Sequence, residues 1–138
     1  MTNEKNIAAL DPGRDKCGFA VLSKKGEVLF QKVVETANLE MEIEEQREKF
    51  KFNELVMGNG TTSKDAKIRI EAAFEDLTIK VVDEYKTTEM ARGEYFKKNP
   101  PKGLMRLIPI TMQTPPVPVD DYVAVILAKR YLGSEEDE

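Results

Sequence analysis

The stretch that decides the fold is Ile7-Ala8-Ala9-Leu10-Asp11-Pro12-Gly13-Arg14-Asp15-Lys16-Cys17-Gly18-Phe19-Ala20-Val21-Leu22. It reads as two short apolar strands joined by a tight polar turn. Asp11 stands where the first apolar run ends. Pro12-Gly13 turns the chain at once, and Gly18 lets the second strand begin with little bulk. A carboxylate at the tip of a buried strand is desolvated unless a cation meets it. The reading that follows is a metal ion, with later acids of the chain converging on it.

Working outward, Val28 to Val34 resumes strand character after the hairpin signal Lys24-Lys25-Gly26-Glu27. Three strands with such short connections can pair only antiparallel. From about Thr36 to Phe52 the spacing of Leu39, Ile43 and Phe50 predicts a helix. Its acid-rich run, Glu40 to Glu45, reads as a solvated face. Glu54 to Met57 is a strand, ended by Gly58-Asn59-Gly60-Thr61-Thr62-Ser63. A helix follows over about Lys64–Leu77, with Thr62 or Ser63 as cap. A glycine-rich loop feeding a helix can hold a phosphate, which makes Asn59 a candidate contact, or it is a plain strand-to-helix turn. Ile79 to Val82 is a fifth strand. A helix begins near Thr87 or Thr88 and stops at Asn99-Pro100-Pro101. Residues 97–118 read as irregular, and a last helix runs from Pro118 to about Leu132. The order β-β-β-α-β-α-β-α-α predicts an α/β domain. Its mixed sheet has five strands, three antiparallel and then two parallel, with helices on its faces.

Composition narrows the chemistry. The 138 residues suffice for one domain, expected over 1–133, with residues 134–138 as an acidic disordered tail. There are no histidines, which excludes His triads and zinc–His sites, whereas Asp and Glu number 25. Carboxylate oxygens suit Mg²⁺ or Mn²⁺. The net charge of −4 equals that of Glu135, Glu136, Asp137 and Glu138, so the body is neutral. A lone Cys17, no apolar signal core and no membrane-length apolar run point to a cytoplasmic protein with no membrane partner.

Three acidic positions stand at element boundaries: Asp11, Glu84 just past the fifth strand, and Asp120 with Asp121 at the start of the last helix. If strands one, four and five are parallel, Asp11 and Glu84 share one sheet edge, where open α/β sheets bind ligands. Each also has a plain structural reading: Asp11 as a turn residue, Glu84 as a partner of Lys86, Asp120 or Asp121 as a helix cap. Lys97, Lys98, Lys102 and Arg106 form a basic stretch that suits either a surface loop or a phosphate contact.

Four blocks in order carry a resemblance: Leu10-Asp11-Pro12-Gly13 with Gly18 and Ala20; Leu55-Val56-Met57-Gly58; Val82-Asp83-Glu84-Tyr85-Lys86-Thr87-Thr88 with Ala91; and Val119-Asp120 with Ala124 to Leu127. Together they resemble the YqgF/RuvC group of RNase H-like nucleases, which includes Holliday junction resolvases and the pre-16S rRNA processing nuclease. The resemblance implies an RNase H-like fold and metal-dependent endonucleolytic hydrolysis of phosphodiester bonds. Its acids fall on Asp11, Glu84 and Asp120, with Asp121 as an alternative ligand, holding two Mg²⁺ or Mn²⁺ ions. Arg14, Lys16, Asn59, Lys97, Lys98, Lys102 and Arg106 are then the substrate contacts, and structured RNA or branched DNA is the substrate. Cutting two strands of a junction calls for a homodimer. The sequence departs from the group at Tyr85, where Arg is usual, and at Asn59-Gly60, where Leu-Pro is usual. Those departures also suit a second class, a catalytically inactive nucleic-acid-binding or protein-interaction domain. Actin-like and sugar-kinase-like ATPases also end their first strand in Asp-x-Gly, but they cleave ATP between two domains.

Overall fold

Ile7, Ala8, Ala9 and Leu10 are all fully buried, because their strand lies in the middle of a sheet covered on both faces. The computed structural model describes residues 6–109, 113, 115 and 117–136. In chain order the elements are β1 (Asn6–Asp11), β2 (Lys16–Ser23), β3 (Val28–Glu35), α1 (Leu39–Phe50), β4 (Phe52–Gly58), α2 (Ser63–Ala73), β5 (Thr78–Val82), α3 (Thr87–Lys98) and α4 (Asp120–Glu136). Short 3₁₀ turns occupy Thr36–Asn38 and Gly103–Leu107.

The five strands form one sheet in the order β3-β2-β1-β4-β5. β1 pairs antiparallel with β2, β2 antiparallel with β3, and β1 and β5 each pair parallel with β4. The expected mixed sheet is therefore present, and the C-terminal ends of β1, β4 and β5 share one edge.

Alternation along the strands sorts the core into two layers. Ala8, Leu10, Phe19, Val21, Leu55 and Met57 face α1 and α2, where Leu39, Ile43 and Ile70 meet them. Ile7, Ala9, Ala20, Leu22 and Val56 face the other way, toward α3 and α4. On that second face Ala9 pairs with Ala20 in the β1–β2 register. Ala124 and Ala128 of α4 belong to the same cluster. Small residues on both sides let the helix lie close across β1 and β2. Consecutive positions Val123 to Ala128 are all buried, so α4 is covered around most of its middle by the sheet and α3.

Three element ends differ from expectation. Phe52 already belongs to β4: Lys51 ends α1 in the left-handed region at φ 53°, and Arg47 donates to the Phe52 carbonyl and to Asn53 Oδ1, both at 2.9 Å. α2 stops at Ala73, short of Leu77; Leu77 is buried all the same, in the turn before β5. α4 continues to Glu136, past the expected end at Leu132, so residues 134–136, expected as part of a disordered tail, are helical. The final two residues of the acidic tail lie outside the described residues. Among those described, no helix is long and apolar enough to cross a membrane.

Candidate active site

The three acids converge on the shared edge, and each is brought there by a different local device. Asp11 is the last residue of β1 and lies opposite Gly18 of β2. A Cβ built on Gly18 would sit 1.8 Å from the Asp120 carbonyl oxygen. The missing side chain is thus the space in which the first residue of α4 lodges, directly across from Asp11. The Asp11 and Asp120 carboxyls are close enough to share a hydrogen bond.

Glu84 arrives from the far side. Gly58, at the end of β4, pairs with Val82 of β5. Hypothetical Cβ atoms on Gly58 and Gly60 would fall 2.4 Å from Glu84 Oε2 and 2.5 Å from Glu84 Oε1. The two glycines form a cradle in which the carboxylate lies. The backbone around Glu84 is held as well. Its N–H donates to Asn59 Oδ1 at 3.3 Å, and its carbonyl accepts from Thr87 N–H and Thr87 Oγ1 at 3.1 and 2.8 Å. Arg130, nearly three turns along α4, donates to the carbonyls of Asp83, at 2.7 Å, and Tyr85. One helix therefore supplies Asp120 and clasps the chain on both sides of Glu84.

The electrostatics reflect this crowding. Burial, the charges of Asp120 and Glu84, and the Asp120 hydrogen bond together push the Asp11 carboxyl up to about 7. Asp120 is pushed up chiefly by burial, and also by the charge of Asp121; the hydrogen bond from Asp11 and the charge of Lys16 pull the other way. Below neutrality Asp11 thus keeps its proton and can donate it to Asp120. Glu84 acts on Asp11 through its charge.

Asp121 points elsewhere. Its Oδ2 accepts from Gln31 Nε2 of β3 at 3.0 Å, and its Oδ1 is buried with no partner among the described residues. The acid that meets Asp11 is therefore Asp120. The turn after Asp11 is pinned by two threonines, Thr62 Oγ1 donating to the Pro12 carbonyl at 2.7 Å and Thr36 Oγ1 to that of Gly13 at 2.9 Å. Beyond this turn opens a cavity of 440 Å³, lined by Arg14, Thr36, Thr62 and Arg69 among others.

The expected substrate contacts scatter. Lys16 lies within electrostatic reach of Asp120. Arg14 lines the cavity on the other side of the turn. Asn59 is engaged with the Glu84 backbone, so its side chain serves the cradle. Lys97 is paired with Glu94 at 3.2 Å. Lys98 lies 5.4 Å over the Tyr122 ring, in the first turn of α4. Lys102 is exposed, and Arg106 donates to the Gly103 carbonyl of its own turn. Gly18, Gly58, Gly60 and Arg130 were not singled out as site residues from sequence. The glycines were visible beside the acids, whereas no signal marked Arg130.

The donor set fits a hard divalent cation: three carboxylates, with no competing nitrogen or sulfur, whose mutual repulsion has too little countercharge. Among the described residues, however, no three such side chains stand close enough together to hold a metal ion as they are placed.

Comparison with known structures identifies the fold as RNase H-like. RuvC from Thermus thermophilus superposes with a TM-score of 0.58 at 13% identity, covering 95% of this chain and 96% of that one. A Bacteroides thetaiotaomicron protein with an actin-like ATPase fold overlaps with a TM-score of 0.44 at 13% identity over 57% of this chain. A ROK family transcriptional regulator, a homologue of the E. coli MLC protein, does so with 0.46 at 15% over 67%. The chain spans about a third of each of these two, 33% and 31%. No protein-family model matches the sequence, and no curated protein matches it.

Proposed function

We propose that this chain is a metal-dependent endonuclease of the YqgF/RuvC kind. It would hydrolyse phosphodiester bonds in structured RNA, such as a ribosomal RNA precursor, or in branched DNA, in the cytoplasm. The observation that carries the reading is the juxtaposition of Asp11 and Asp120 within the field of Glu84, at the sheet edge where parallel strands end. Repelling acids around the end of a central strand cost stability, and a site for Mg²⁺ or Mn²⁺ would account for that cost.

Asp11, Asp120 and Glu84 would hold the metal. A pair of divalent ions held there would supply an activated water and stabilisation of the leaving oxygen in an in-line displacement. The chain's own residues do the positioning. Gly18 admits Asp120 to the edge, and Gly58 and Gly60 seat Glu84. Lys16, close to Asp120, supplies a cation for a backbone phosphate beside the acids. Asp121, bonded to Gln31, fixes the start of α4 against β3. Resolving a four-way junction would require a second copy of the chain.

The spacing of the acids favours one second reading. Because the three carboxylates do not form a finished cage among the described residues, a noncatalytic nucleic-acid-binding domain of the same fold is the alternative. A cleavage assay separates them. Four-way junctions, single-stranded DNA and structured precursor RNA are incubated with Mg²⁺ or Mn²⁺, wild type beside Asp11→Asn. Cleavage of one substrate class that Asp11→Asn abolishes supports the nuclease. Binding without cleavage by the wild type supports the alternative, and full activity of Asp11→Asn overturns the site.

A further inference from the structure

Between α3 and α4 the chain makes a small knuckle that the nuclease site does not use. Its centre is the 3₁₀ turn Gly103–Leu107. In a 3₁₀ turn, side chains three residues apart eclipse one another. Leu104 and Leu107 therefore stand on one side, 82% and 81% exposed. Met105 and Ile108 flank them, partly exposed. The turn is built: Gln113, itself buried, donates both amide hydrogens to it, to the Met105 carbonyl at 2.9 Å and the Ile108 carbonyl at 2.8 Å. Gly103 enters the turn at φ +63°, a conformation that favours glycine. Two leucines are thus held outward by a buried clasp.

Charge says what they face. From Tyr95 to Val119 the sequence holds Lys97, Lys98, Lys102 and Arg106 and no acid. The knuckle follows α3, whose Lys98 lies over Tyr122 in the turn that begins with Asp120. A polyanion is the complementary partner, and one that reaches both the knuckle and the acid edge is a nucleic acid.

Resting on the proposed nuclease reading, we infer that Leu104 and Leu107 form a wedge that enters an unstacked or unpaired step of a nucleic acid, with Lys98, Lys102 and Arg106 holding the flanking phosphates. Apolar side chains of this size open base steps in other protein–DNA complexes, and the opening costs least where stacking is already broken. The wedge gives the chain a preference for bulges and junctions over continuous duplex. An anionic bilayer would also attract cations beside leucines. The vesicle arm of the test below separates that partner from a nucleic acid.

The test uses the full chain carrying Asp11→Asn, so that binding is read without cleavage. The probes are a four-way junction and a bulged duplex, each with 2-aminopurine at the open step, and a continuous duplex. The wedge predicts tighter binding to the first two and a rise in 2-aminopurine fluorescence. Adding Leu104→Ser with Leu107→Ser abolishes the rise and weakens junction binding by about ten- to hundredfold, leaving duplex binding unchanged. Lys102→Ala with Arg106→Ala weakens all probes and flattens the salt dependence. An unchanged junction preference in the serine variant overturns the wedge. So does leucine-dependent sedimentation with phosphatidylserine vesicles in a chain that binds no nucleic acid. The nuclease reading fails separately: if the chain with Asp11 intact cuts nothing while leucine-dependent unstacking persists, the wedge stands without it.

Discussion

Replacing Asp11 by Asn should make the metal-free protein more stable above neutrality, and the structure sets the size of the gain. The folded chain holds the Asp11 proton up to about 7, against an ordinary value of 3.8. The sign follows from linkage. Between those two values the unfolded chain has lost the proton and the folded chain has kept it, so stability falls as pH rises through the window and levels off above it. A gap of about three pH units at about 1.4 kcal/mol each sets a ceiling of about 4 kcal/mol. Asp11 is partly open to solvent, which screens part of that, so the expected gain is about 2–4 kcal/mol. Asn keeps the shape and can still donate to Asp120, but it cannot ionise. Urea denaturation of both proteins without divalent metal, at a series of pH values from about 4 to about 8.5, measures the difference with all other titrations cancelled. The variant should match wild type at the acid end and exceed it at the alkaline end. Saturating Mn²⁺ should then add about 2.7 kcal/mol to wild type at a hundredfold excess over Kd and nothing to the variant. A difference that is flat with pH, or a variant that is less stable at about pH 8.5, refutes the picture of three uncompensated acids.

The two kinds of glycine should separate. Gly18→Ala drives a methyl into the Asp120 backbone, which cannot move without α4, and should cost about 2–3 kcal/mol in urea denaturation. Gly60→Ala meets only the far end of the Glu84 side chain; it should leave stability within about 1 kcal/mol of wild type while reducing Mn²⁺ affinity in calorimetric titration. Arg130→Met removes two hydrogen bonds from the Glu84 loop; amide exchange from Tyr85 to Thr87 should quicken, and stability should fall by about 1–2 kcal/mol.

The strand order was legible because short connections and apolar runs leave few ways to pair Ile7–Leu10, Cys17–Ser23 and Val28–Val34. The parallel half was legible from alternating strand and helix patterns. Asp11, Glu84 and Asp120 could be picked out because each ends or opens an element. What sequence could not supply was the meaning of the empty positions. Gly18 read as relief of bulk, but the room it leaves is filled by the backbone of Asp120, 102 residues later. Asn59-Gly60 read as a departure from the YqgF/RuvC pattern. In the fold that pair holds the backbone of Glu84 and makes space for its carboxylate. The choice between Asp120 and Asp121 was invisible for a similar reason: it depends on Gln31, on a strand at the opposite end of the sheet order from Glu84. Arg130 looks like any charge on a late helical turn until its two carbonyl partners are seen.

The same helix carries the repulsion and the attraction that outweighs it. Bringing Asp120 against Asp11 costs a few kcal/mol at neutral pH, by the reasoning above. Val123, Ile126 and Leu127, only one to two turns further along, are buried between the sheet and α3. Each contributes about 1.5–3 kcal/mol by leaving water, which together exceeds the cost. The order matters: Asp120 sits at the helix start, where unpaired N–H groups and the helix dipole favour a negative charge, and the apolar run begins three residues later. A truncation such as Leu127→Ala should therefore do two things. It should destabilise the fold by about 2–5 kcal/mol, and it should loosen the acid edge before the rest of the sheet. Native-state hydrogen exchange of the wild type and the Leu127→Ala variant would read this as selective loss of protection at Asp11 and Gly18, while Val21 and Leu22 keep theirs. Uniform loss across β1 and β2 would mean that α4 only covers the sheet and does not hold the acids in place.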